Sequence, residues 1–107
     1  MKSLLTLLSV VLFSLGSANA KTGDDFPADI KPLMTKYTCI ACHKVDTRLV
    51  GPAYKDVAKK GYSVSKIVYL IANPQPSNWP GYPPMAALKN VPKEDAIKIA
   101  KWISSLK

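Results

Sequence analysis

The chain predicts an all-α fold of about four helices. Two observations carry that expectation. Apolar residues recur at spacings of three and four in several stretches, and no convincing alternating strand appears. The prolines stand at helix starts or crowd into one segment between residues 74 and 84, where they exclude regular helix.

The elements follow in order. Residues 21–26 are a polar lead-in. A first helix is expected over residues 28–37. Asp29 can cap it, and Pro32 is tolerated in the opening turn. Ile30, Leu33, Met34 and Tyr37 give it one apolar face. Residues 45–50 form a loop punctuated by Gly51-Pro52. A short helix over residues 53–60 then stops at Gly61. Ser63 or Ser65 caps a third helix running to about residue 72. Val64, Ile67, Val68 and Ile71 form its buried stripe, and Asn73-Pro74 ends it. The proline-rich segment also holds Trp79, Tyr82 and Met85. Such side chains point to a rigid loop packed on something large. In the last helix Pro92 suits the first turn, and Glu94 and Asp95 favour its positive end. Ala96, Ile99, Ile103 and Leu106 mark its inner face.

The N-terminus reads as a leader. Lys2 supplies a short positive region, residues 4–15 are mostly apolar, and Ala18-Asn19-Ala20 is a small-x-small cleavage site. The apolar run is short for a span, which needs about 20 residues. Retention as an anchor is the alternative. Residues 1–20 are thus expected to be a signal peptide and residues 21–107 one domain. The chain carries +8. Loss of Lys2 with the leader leaves +7, and a basic surface steers encounters with acidic partners. Nucleic acid is a poor alternative: the lysines are dispersed, Arg48 is the single arginine, and no such motif is present.

Cys39-Ile40-Ala41-Cys42-His43 contains every Cys and the one His of the chain. Two thiols three positions apart, followed at once by an imidazole, form the attachment pattern for c-type haem. Each thiol adds across one vinyl group to leave a thioether, and one tight turn presents both sulfurs. His43 then lies under the iron. A redox or structural disulfide is the alternative. A structural zinc site needs about four ligands, and this cluster holds three. Covalent attachment requires reduced thiols outside the cytoplasm, which agrees with the leader and points to the bacterial periplasm.

The sixth iron position decides the chemistry. Beyond the leader the thioether candidates are Met34 and Met85. Met34 lies in the first helix and reads as core. Met85 stands 42 positions after His43, in the stiff proline loop, and is the expected ligand.

These residues, with Val50-Gly51-Pro52-Ala53-Tyr54-Lys55-Asp56-Val57-Ala58, the stretch from Trp79 to Met85 and the closing Ala100-Lys101-Trp102-Ile103, resemble the short class I bacterial cytochromes c. The likeness covers essentially the whole domain. It implies the small cytochrome c fold wrapped around one covalently bound haem c. Cys39 and Cys42 carry the thioethers in that family pattern, and His43 and Met85 are the axial pair. Pro52 offers its carbonyl to the free His43 nitrogen. Trp79 matches a loop tryptophan that approaches a propionate, although the stretch from Trp79 to Met85 is one residue longer here. Tyr54 and Trp102 are expected in the core.

The implied role is a periplasmic one-electron carrier, not an enzyme. Its partners would be redox proteins with acidic docking patches: a terminal oxidase, a nitrogen-oxide reductase, a peroxidase or a cytochrome complex. Two alternatives remain: a sensor or peroxidase-like enzyme whose Met85 dissociates, and a haem module of a membrane complex.

Overall fold

The computed structural model describes residues 25–107. The expected leader and its cleavage site lie outside the described residues. Within them the chain is helix, 3₁₀ turn and loop, with no strand.

Helix α1 spans Lys31–Lys36 and starts later than the spacing predicts. Pro32 explains this. It has no N–H to donate to the carbonyl of residue 28 and fits only an opening turn, so the regular helix begins at Lys31 and residues 28–30 form a turn. That turn is closed by Ile30 and Lys31 N–H groups donating to the Pro27 carbonyl at 3.0 and 2.8 Å. Asp29 does not cap the helix; Ile30 occupies the cap position without a side-chain bond. Met34 is fully buried, as expected of a core residue.

Thr38 lies in the left-handed region at φ 60°. This reverses the chain into a 3₁₀ turn, Cys39–Ala41, where His43 N–H closes on the Cys39 carbonyl at 3.0 Å. Helix α2 spans Tyr54–Lys59. Gly61 follows it at φ 71°, a conformation open to glycine at little cost. Helix α3, Val64–Ala72, is capped by Ser63, whose hydroxyl accepts from the Lys66 N–H at 3.1 Å. A cap of this kind contributes about 1 kcal/mol.

The proline-rich segment holds one element the sequence did not suggest, a 3₁₀ turn at Pro76–Asn78. Proline fits its first position because no N–H is needed there. Helix α4 spans Lys93–Ser104, with Pro92 at its cap and Glu94 and Asp95 in its first turn.

The core lies between these helices. Ile30 and Met34 from the α1 region, Tyr54 from α2, Ile67 from α3, and Ile99, Ala100 and Ile103 from α4 form one buried cluster. Phe26, Tyr54 and Trp102 pack their rings at centroid distances of 5.3–6.1 Å against its edge. The Tyr37 phenol donates to the Asp95 carboxylate at 2.5 Å and ties the end of α1 to the start of α4. Ile67, Ile99 and Ile103 also wall a large apolar cavity.

Candidate haem site

The cavity has a volume of about 340 Å³. Its lining brings together all six residues singled out from the sequence: Cys39, Cys42, His43, Pro52, Trp79 and Met85. They come from three different segments. The turn after α1 supplies the two cysteines and His43. The loop before α2 supplies Pro52, and the loop between α3 and α4 supplies Trp79 and Met85.

His43 is the best-determined member. Its side chain is 8% exposed. Nδ1 lies 2.8 Å from the Pro52 carbonyl oxygen. A carbonyl only accepts, so Nδ1 carries the proton and donates. That fixes the tautomer and leaves the Nε2 lone pair free. Burial lowers the imidazole's affinity for a second proton, and the Pro52 bond partly opposes that shift. The ring is therefore held neutral and aimed, the state a metal ligand requires.

Two neighbours finish the seat, and neither was recognised from the sequence as a site residue. Tyr54 stacks on the imidazole, with ring centroids 4.6 Å apart and planes 23° from parallel. Burial also pushes the Tyr54 phenol well above its ordinary range. Gly51 passes so close that an added Cβ would stand 2.6 Å from His43 Cε1. Its place before Pro52 reads as loop punctuation, and its membership of the family-like block from Val50 to Ala58 is the further signal in the sequence.

Both cysteines are free thiols. Burial pushes the Cys39 thiol up, while Cys42 is exposed. The residues present fit a covalently held haem. Two thiols, one neutral imidazole nitrogen and one thioether share a cavity otherwise walled mainly by apolar side chains, and a glycine makes room for the imidazole. Among the described residues, no cluster of three or more His, Cys, Asp or Glu side chains offers a rival metal site.

Comparison with known proteins gives the same answer. The cytochrome c family model matches residues 27–107. The chain belongs to the cytochrome c family. It is 44% identical to cytochrome c-551 of Pseudomonas denitrificans over 73 residues, which is 64% of this chain and 87% of the relative. Cytochrome c-552 of Nitrosomonas europaea is 39% identical over 79 residues, covering 70% of this chain and 76% of that protein. The crystal structure of wild-type Nitrosomonas europaea cytochrome c552 superposes with a TM-score of 0.66 at 38% identity. That match covers 72% of this chain and 99% of the other. The all-α cytochrome c fold is thus established for this cytochrome, and its cofactor is covalently bound haem c. It is an electron carrier rather than an enzyme. Among the described residues no helix is long and apolar enough to cross a membrane.

Proposed function

We propose that this cytochrome is a periplasmic one-electron carrier with His43 and Met85 as its axial ligands. The observation that carries the reading is the common cavity. A neutral imidazole with one free nitrogen and the Met85 thioether line the same apolar space as the two cysteines. Bound haem supplies the ferric–ferrous couple. The protein's part is to hold the ligand set still. Cys39 and Cys42 tether the group, and Pro52 fixes the imidazole plane. Soft sulfur from Met85 and an apolar wall both favour the reduced state and raise the potential. Trp79 lines the cavity and is assigned, by family likeness, an indole N–H contact to a propionate. Residues 1–20 are assigned as the export signal on their short positive region, apolar run and small-x-small site.

The surface suits brief encounters. Ile40 within the Cys39–His43 segment, and Leu49 and Val50 in the loop that follows it, are exposed. The excess of lysine supplies long-range attraction to acidic redox partners. An oxidase, a reductase, a peroxidase or another cytochrome would meet that description. Electron-transfer rates with an acidic partner are expected to fall as ionic strength rises, because screening shortens the reach of these charges. A flat salt response in stopped-flow measurements would remove the steering.

The ligation is tested by the absorbance of the oxidised holoprotein. A weak far-red band reports ferric iron–sulfur ligation and is expected in wild type. Met85→Ala should abolish it and let the ferrous form bind carbon monoxide. A wild-type protein that lacks the band and binds carbon monoxide readily would instead be a ligand sensor or peroxidase-like enzyme.

A further inference from the structure

We propose that Arg48 is a positioning residue for the Met85 sulfur, clasping the ligand loop to the segment that follows His43. The proposal rests on Met85 being the sixth ligand. Arg48 is the only arginine in the chain. Its guanidinium carbon sits 3.9 Å from the centroid of the Tyr82 ring. The same group donates from Nη2 to the Gly81 carbonyl at 2.9 Å. A planar guanidinium can stack on a ring and donate in its own plane to the neighbouring carbonyl; an ammonium cannot do both.

The two ends of this clasp are mechanically different. The segment carrying Arg48 is a knitted frame. Gly51 N–H donates to Cys42 O at 2.7 Å, Tyr54 N–H to Lys44 O at 3.0 Å, and Lys55 N–H to Val45 O at 3.0 Å. Lys55 also pairs with Asp46 in that segment. The ligand loop, by contrast, is tied through Tyr82 N–H to Trp79 O at 3.2 Å and then through Leu88 N–H to Ile71 O at 3.0 Å. Met85 lies between those ties. Only Pro83 and Pro84 separate it from Tyr82. Two consecutive prolines restrict φ, so the placement of Tyr82 is passed along a stiff link to Met85. Lys60 secures the other end of the loop: its ammonium lies 4.7 Å from the Trp79 ring centroid and donates to the Asn78 carbonyl at 3.3 Å. Arg48 therefore governs the end nearer the sulfur.

The consequence concerns ligand exchange. An added anion such as cyanide enters the ferric site only when the iron–sulfur bond opens. The bond to Met85 breaks, a bond to cyanide carbon forms, and no electron is transferred. A loop held by Arg48 returns the sulfur before the competitor binds.

The experiment uses ferric holoprotein and potassium cyanide, with the far-red band as a second readout. Arg48→Ala is expected to speed cyanide binding about five- to thirtyfold, the effect of losing one stacked cation and one charge-assisted hydrogen bond. Arg48→Lys keeps the charge without the planar fork and should fall between the two. Lys66→Ala removes a comparable contact, Lys66 over Tyr69 at 5.3 Å on the exposed side of α3, and should leave the rate unchanged. A wild-type rate in Arg48→Ala, or in Arg48→Lys, overturns the clasp while an intact band leaves His43–Met85 ligation standing. A ferric wild type without the band overturns the ligation and the clasp together.

Discussion

The Cys39→Ala/Cys42→Ala variant is expected to lose most of its helix. The reason is the shape of the core. Among the described residues, the fully enclosed positions apart from Met34 are alanines, Ala53 and Ala100. Ile67, Ile99 and Ile103 face the cluster on one side and the cavity on the other. An unfilled apolar cavity loses roughly 24 cal/mol per Å³. Over 340 Å³ that amounts to about 8 kcal/mol, an upper figure for a cleft open to solvent. Small domains are stable by only about 5–15 kcal/mol in total. Even a fraction of that figure is a large part of the whole stability. Local structure cannot rescue the fold either. Helices α1 and α2 have six residues each, and isolated helices shorter than about 12 residues are marginal in water. Far-ultraviolet circular dichroism and guanidinium titration of the purified variant decide the matter. Full helix content with a cooperative transition would mean that the polypeptide closes its own core.

Much of this was legible because local chemistry and tertiary structure agree. The three-and-four spacing placed α3 almost to the residue and the start of α4 at Pro92, since their apolar stripes face the shared core, while Leu106 lies past the end of α4 at Ser104. Ser63 was one of two equivalent cap candidates, and only the Lys66 N–H shows which is used. The start of α1 lies later than its apolar stripe suggests because the stripe speaks of burial, whereas Pro32 lacks the N–H that a longer helix would need. The cavity's chemical residues were visible from their types: thiols, an imidazole and a thioether have few structural duties in so small a chain. Their neighbours were not. Gly51 under His43 and Arg48 on Tyr82 are contacts created when separate loops meet. Arg48 and Gly81 are 33 positions apart, and neither carries a local pattern that names the other. Prolines told that the loop from residue 74 to 84 is stiff, but stiffness does not say where a loop goes.

Gly51→Ala should be the most damaging single methyl group that can be added at a glycine in the described domain. The new Cβ would stand 2.6 Å from His43 Cε1, 3.0 Å from Nδ1 and 3.1 Å from Nε2. Neither side can give way cheaply. The imidazole is held at 2.8 Å by the Pro52 carbonyl and stacked on Tyr54. The glycine backbone is held in turn by its 2.7 Å bond to the Cys42 carbonyl. Overpacking of this kind typically costs about 1–3 kcal/mol. The added strain falls on the ring that would bind iron, so the stability loss should come with an altered absorbance spectrum. Gly61→Ala and Gly81→Ala supply the contrast. Both sites have positive φ, 71° and 84°, and open space around the missing Cβ. Each should cost roughly 1–2 kcal/mol of backbone strain, while the Gly61 variant leaves the spectrum of the holoprotein as it was. Two variants of similar stability cost but different spectra would separate a chain conformation from a ligand seat. If Gly51→Ala kept the wild-type spectrum and denaturation midpoint, the imidazole would have room to move, and a fixed His43 could no longer explain the rigidity of the site.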